Sequence, residues 1–223
     1  MGVVVKQKNV VAVAVLVFIA SCLPAMAFAG SRQSSLNCKP TDAIKHTPIT
    51  VAKPNALLNS DRVITFNTNC GNIVISADTK DAPAAVTAMV SLAQAGFFNN
   101  SLCHRLTTSD LWVLQCGDPT TSGEFQLPWW YPNENLPGNV NANYPEGTVA
   151  MAHRAHDPNQ PAQNGSQFFI VYKDTTLPPD YTIWGHVIKG LNIVKFVGTK
   201  GTLNGSSSVL PKQPIAIQTV SVK

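Results

Sequence analysis

Between residues 101 and 190 the apolar residues come only in short blocks, SLCHRL, LWVLQC, GTVAMAH, SQFFIVY and TIWGHVI, set among segments dense in Gly, Pro and Asn. A further block, PIAIQTVSV, follows near the end. Blocks of this length can bury a strand but not an ordinary helix, so the chain is predicted to be mainly β, with many short strands in a closed or sandwiched architecture. Upstream, VITFNT and NIVISAD flank Cys70-Gly71 and read as a hairpin. Helical signals are confined to two places. Pro83 opens AAVTAMVSLAQAGFF, with Val86, Met89, Val90, Leu92 and Ala93 at helical spacing and Gly96 at the end, and LNIVKFV from Leu191 is the second candidate. The stretch from Pro119 to Gly147 is a long loop, and a loop of that length inside a domain is usually functional or mobile.

Residues 1–29 are of a different material: two lysines, the apolar run VVAVAVLVFIASCL, then Pro24 and AMAFAG. This is the plan of an export signal. Ala27 and Ala29 fit cleavage after Ala29, Ile19-Ala20-Ser21-Cys22 resembles a lipobox that would lipidate Cys22, and the run is long enough for an uncleaved membrane anchor. Each alternative places the remainder outside the cytoplasm, secreted or attached to the outer face of the membrane through its N-terminus. Residues 30–60, rich in Ser, Lys, Thr, Pro and Asn, read as a linker or N-terminal arm with little regular structure, and 61–223 as the domain. Outside the cytoplasm, Cys38, Cys70, Cys103 and Cys116 would tend to pair, and three pairings exist. The net charge of +4 is thinly spread over a chain with only 13% charged residues, which argues against a nucleic-acid partner. A monomer is expected.

The stretch CHRLTTSDLWVLQCGD, residues 103–118, gathers the residues that usually announce chemistry. A metal reading would use Cys103, His104, Cys116 and Asp118 with His153, His156 and Asp157, but the spacing matches no zinc pattern, and no metal or cofactor is expected. No nucleophile elbow surrounds any Ser or Cys, and His104 reads as a half-buried histidine bonded to backbone. If LCHRL and LWVLQC pair across TTSD, Arg105 and Gln115 lie side by side on one face while Leu102, Leu106 and Leu114 fill the other. In that register Cys103 and Cys116 face opposite ways, so a bridge between them would demand a bulge.

In order and spacing, CHRL, VLQCGDP, GTVAMAH, NGSQFFIVY and YTIWGHVIKGLNIV resemble the FHR, QGGD, MAN, GSQFF and VFG-V-GM-IV blocks of the cyclophilins, over about Ile64 to Val222. The likeness is particularly to their exported bacterial branch. It implies a closed eight-stranded antiparallel β-barrel capped by two α-helices, and a peptidyl-prolyl cis/trans isomerase acting on proline-containing polypeptides. An X-Pro bond needs only rotation, past a resonance barrier of about 18–20 kcal/mol, so no nucleophile is required.

By the same resemblance Arg105 is the catalytic arginine and Gln115 positions it and bonds the substrate backbone. Trp112, Val113, Phe169 and Leu177 line the proline pocket, Gln167 supplies a polar contact, and Ala152 and His153 fall where the family has Ala-Asn, the backbone of the second holding the peptide. Tyr181 stands where many members have a pocket histidine, and Thr176 where cyclosporin-sensitive members often have Trp, which implies weaker cyclosporin binding. The rival reading is a proline-peptide-binding or chaperone module whose turnover the Tyr181 and His153 changes have removed. Trp129 and Trp130 receive no assignment.

Overall fold

The computed structural model describes residues 1–4, 36–153, 162–206 and 208–223. Residues 5–29 of the expected leader, Cys22 among them, and the His156 and Asp157 weighed as ligands, lie outside the described residues. No helix among those residues is long and apolar enough to cross a membrane.

Within the unit Ser35–Lys223, β1 (Arg62–Thr68) and β2 (Gly71–Ala77) form the expected hairpin, paired from Arg62↔Ala77 to Thr68↔Gly71. Ile64 and Phe66 on one strand, and Ile73, Ile75 and Ala77 on the other, face inward, as a period of two requires. Helix α1 (Pro83–Gln94) follows, with Pro at its start and Ala85, Val86, Ala88, Met89, Val90, Leu92 and Ala93 buried. Its amino end is capped from a distance, since Ala85 N–H donates to the Glu134 carboxylate at 2.7 Å, where a negative charge suits the helix dipole.

The remaining elements are β3 (Ser101–Leu102), β4 (Arg105–Thr107), β5 (Val113–Cys116), β6 (Thr148–Met151), β7 (Phe168–Val171), β8 (Ile183–Lys189), α2 (Leu191–Lys200), β9 (Ser208–Val209) and β10 (Ala216–Val222). All strand pairings are antiparallel, in the order β3-β10-β1-β2-β8-β6-β7-β5-β4-β9. Among the described residues the sheet has ten strands where eight are expected, because the segment 101–107 divides into β3 and β4 and β9 adds an edge. The core on the inner face is aromatic. Phe168 stacks on Phe66 at 5.1 Å and meets Phe98 and Trp184 edge-on, and all four rings are buried.

The break between β3 and β4 shapes the hairpin. Arg105 is the register partner of Gln115, yet His104 N–H also donates to Gln115 O, so two residues on one strand face one on the other. That is a bulge, and it reverses the alternation before it. Cys103 therefore turns into the core beside Leu106 and Leu114 and bonds to Cys116, while Leu102, expected in the core, is only half-buried. The other pair is Cys38–Cys70, which ties residue 38 to the turn of the first hairpin. Residues 36–60 hold no helix or strand, but they are not loosely attached: Lys39 N–H bonds Asn69 O, His46 N–H bonds Pro119 O, and Leu58 N–H bonds the Thr87 hydroxyl.

Candidate active site

On the outer face of β4, β5 and β7 lies an open groove of about 510 Å³. Arg105, Gln115 and Gln167 form its floor. Arg105 Nη1 donates to Gln115 Oε1 at 3.1 Å, Gln115 Nε2 donates to Gln167 Oε1 at 2.9 Å, and Gln167 Nε2 donates to the carbonyls of Gly123 and Phe125, each at 3.1 Å. The relay runs one way, from guanidinium to loop backbone, and leaves each carboxamide in a defined orientation. Burial strips hydration from Arg105 and lowers its pKa, an effect that the nearby Tyr181 partly offsets. An arginine so perturbed is still a cation at neutral pH.

Beside the floor, Val113, Phe169, Ala150, Val171 and Tyr144 form an apolar cluster separate from the main core, with Leu111, Ala152, Leu177, Tyr181 and Ile183 packed on it. Phe168 and Phe169, adjacent on β7, thus serve opposite faces: one ring fills the core and the other the wall of the site. Tyr181 packs edge-on against Phe169 at 5.6 Å and stacks on the His153 ring at 4.8 Å. The His153 Nε2 atom lies 2.7 Å from Asp180 O, so its side chain is engaged with the pocket wall while residue 152 donates its backbone N–H to Gln167 O. Burial, with Asp180 adding to it, raises the Tyr181 pKa, so the phenol is neutral.

The expected residues Arg105, Gln115, Gln167, Ala152 and His153 line the groove, and Val113, Phe169, Leu177 and Tyr181 share the adjoining cluster. Trp112 does not join them. Neighbours on a strand point to opposite faces, so with Val113 in the cluster Trp112 turns away. It packs edge-on against Tyr172 and lies under Lys173 Nζ, at 4.2 Å. Leu111, its neighbour, packs on the cluster.

His104 also departs from expectation. The bulge puts it on the groove side with Arg105, its ring is buried near the Gln167 side chain, and neither ring nitrogen is within hydrogen-bond geometry of a partner among the described residues. Burial lowers its pKa against the opposing pull of Asp118.

Sequence reasoning missed Tyr144, whose hydroxyl accepts Tyr181 N–H at 3.0 Å, and, although it marked the loop after Pro119 as functional or mobile, it did not place that loop as the far wall of the groove. That loop is organised by Asp118, fully buried, whose carboxylate accepts the N–H groups of Thr120 and Gly123 at 2.8 and 2.7 Å and the hydroxyls of Thr120 and Ser122. Burial alone would raise the Asp118 pKa, but these bonds outweigh it and hold it below the usual value. A glycine precedes it for a steric reason: Gly117 has φ +93°, and a Cβ there would lie 2.2 Å from Ser166 O. Farther along, Phe125, Leu127, Trp129 and Trp130 complete the groove wall. The arrangement offers a fixed cation, a carboxamide relay and an apolar recess, and the groove-side hydroxyls of Ser122 and Ser166 are spent on Asp118 and the Gly117 carbonyl. Cys103 and Cys116 are joined to each other.

A family model described as cyclophilin type peptidyl-prolyl cis-trans isomerase/CLD matches residues 63–222. The chain is 38% identical over 168 residues to a probable peptidyl-prolyl cis-trans isomerase B of Mycobacterium tuberculosis, covering 70% of this chain and 53% of that one. The counterpart from Mycobacterium leprae is 38% identical over 164 residues, covering 69% and 54%. The chain spans about half the length of these relatives. Among solved structures, a cyclophilin type peptidyl-prolyl cis-trans isomerase of Cryptosporidium parvum matches with a TM-score of 0.62 at 22% identity, covering 74% of this chain and 98% of that one. The same enzyme in the presence of the dipeptide Ala-Pro matches with a TM-score of 0.61 and 22% identity, covering 72% and 98%.

Proposed function

Because this chain belongs to the cyclophilin-type peptidyl-prolyl cis-trans isomerases, we propose that it accelerates rotation about X-Pro bonds, and does so in exported or unfolded polypeptides. The observation that carries the reading is Arg105, held by Gln115 at 3.1 Å beside the Val113, Phe169, Leu177 and Tyr181 cluster. A proline ring seated in that cluster brings its amide nitrogen to the guanidinium. As the nitrogen leaves conjugation it becomes pyramidal and gains a lone pair, which the guanidinium can bond. The interaction exists in the twisted state and not in the planar one, so it lowers the barrier without tightening substrate binding. Gln115 holds the guanidinium in place and, with Gln167 and the backbone of residues 152 and 153, grips the flanking peptide.

Closure of the sheet belongs to the same reading. Counting 101–107 as one bent strand, hydrogen-bonded to β10 at one end and to β5 at the other, and leaving aside the two-residue edge β9, brings the ten strands to eight, which supports the closed barrel that the resemblance implies. An extracytoplasmic location is supported by the composition of residues 1–29 and by the two disulfides, which suit an oxidising compartment.

The test is refolding of a protein limited by proline isomerisation, a phase lasting tens of seconds unaided. The wild type is expected to accelerate it, and Arg105→Ala to lose about two orders of magnitude in kcat/KM while keeping its fold, as for other single preorganised donors. A wild type that binds proline peptides and leaves the slow phase unchanged would establish the binding-module reading instead.

A further inference from the structure

The arm preceding the family domain reaches the site through three bonds. His46 N–H donates to Pro119 O at 2.9 Å, at the start of the groove-wall loop. Trp129 Nε1 donates to Val51 O at 2.7 Å, and Lys53 Nζ donates to Trp130 O at 3.1 Å, both at the loop's far end. Val51 itself is buried, and Trp129 packs against the core. The arm is anchored beyond all three bonds, by Cys38–Cys70 on one side and by Leu58 N–H on the Thr87 hydroxyl on the other. Between the two braced ends of the loop lie the carbonyls of Gly123 and Phe125, which accept from Gln167.

We propose that residues 46–53 of the arm are a positioning element for the isomerase site. By fixing both ends of the loop they fix the two carbonyls that orient Gln167, and through Gln167 and Gln115 they set the aim of the Arg105 guanidinium. The proposal rests on the reading of this groove as the site of isomerisation, but the bonds that transmit the effect stand independently of turnover. None of the three arm residues lines the groove itself, and all three lie outside the matched residues 63–222. The effect is therefore peculiar to the arm and not a property of the barrel alone. It is also directional. A loop wall free to shift by an ångström at Gly123 and Phe125 leaves the Arg105 cation in place but loosens its aim, and misplacement of about 1 Å at a reacting centre can cost on the order of 100-fold in rate.

The experiment uses the 223-residue chain with Val51→Asp, which places a charge in the arm's buried contact, and Val51→Ile as the conservative control. Two readouts are taken where circular dichroism shows the variant folded. One is the NMR side-chain signals of Arg105 Nε–H and of the Gln115 and Gln167 carboxamides; the other is kcat/KM on a proline tetrapeptide. Val51→Asp is expected to move all three side-chain signals and to lower kcat/KM about tenfold, within the range that misaimed catalytic groups show, whereas Val51→Ile leaves both as in wild type. Should Val51→Asp fail to fold, the double variant His46→Pro, Lys53→Ala removes two of the three bonds and decides the matter by the same signals. Unmoved Arg105 and Gln167 signals in a folded arm variant overturn the proposal, even if the melting temperature falls. A wild type without turnover whose arm variants still move those signals upholds the positioning role and removes the isomerase reading alone.

Discussion

One wall of the groove is sheet and the other is loop, and different forces hold them. On the sheet wall, Arg105↔Gln115 and Gln115↔Phe169 are register partners across β4, β5 and β7, so the ladder sets the spacing of the side chains before any of them makes a contact. On the loop wall, from Asp118 to Trp130, no strand runs. Its shape rests on one buried carboxylate, on Gln167 bonded to two carbonyls, and on the arm. Active sites commonly join a rigid scaffold to a loop in this way. The consequence is that the sheet wall cannot be altered without cost to the fold, whereas the loop wall should yield locally.

The largest effect belongs to the sheet wall. Phe169→Ala empties the centre of the groove-side cluster, where the ring meets Tyr144 and Tyr181, and should cost about 3–5 kcal/mol of global stability. Urea unfolding should show a lower midpoint at unchanged slope. A loss below about 1 kcal/mol would mean that the cluster collapses freely and that the sheet wall is not rigid.

Next is Asp118→Ala on the loop wall. It leaves the N–H groups of Thr120 and Gly123 without their acceptor, at about 1 kcal/mol for each once water restores part of the bonding. Hydrogen exchange at Gly123 and Phe125 should quicken while amides of β5 and β7 keep their protection. Equal loss of protection in both places would dissolve the distinction between the walls.

A gentler probe is pH, because His104 stands on the sheet wall and Asp118 at the root of the loop. Burial depresses the His104 pKa, so below its ordinary value of about 6.5 the unfolded chain takes up a proton that the folded chain refuses. The stability it supplies is full above that pH and falls as pH falls toward the folded value. Asp118 is also held below its ordinary value, and its contribution is lost only in stronger acid, below about pH 4. Two acid steps in the urea midpoint are expected, and His104→Gln should remove the first and spare the second. One step that the substitution leaves untouched would deny His104 this role.

What could be read in the sequence follows the same division. The hairpin around Cys70, both helices and the Arg105–Gln115 pairing were legible because each depends on local period and punctuation. The bulge at His104 was legible only as a condition, since a one-residue slip leaves no compositional mark, and it decided where Leu102, Cys103 and His104 went. The loop wall was hidden because its geometry comes from long-range bonds, Trp129 to Val51 among them, that no spacing encodes. The resemblance to a family could not disclose the arm, which lies outside the matched residues.

The smallest effect is expected at Trp112, where that resemblance and the strand's own alternation disagree. Its backbone is fixed from both sides, N–H to the Thr175 hydroxyl at 3.2 Å and carbonyl to Tyr172 N–H at 3.0 Å, so the ring cannot swing across the strand to join Val113. The ring meets Tyr172 edge-on and carries Lys173 Nζ over one face. Trp112→Phe should therefore leave kcat/KM within about twofold and stability within about 1 kcal/mol, since a smaller ring keeps most of the edge contact. Tryptophan fluorescence supplies the sharper reading, because Trp129 and Trp130 line the groove and Trp112 does not. Titration with a proline tetrapeptide should give the same emission change in wild type and in Trp112→Phe. A response that disappears with Trp112, or a tenfold rise in KM, would return that ring to the proline pocket and extend the sheet wall by one residue.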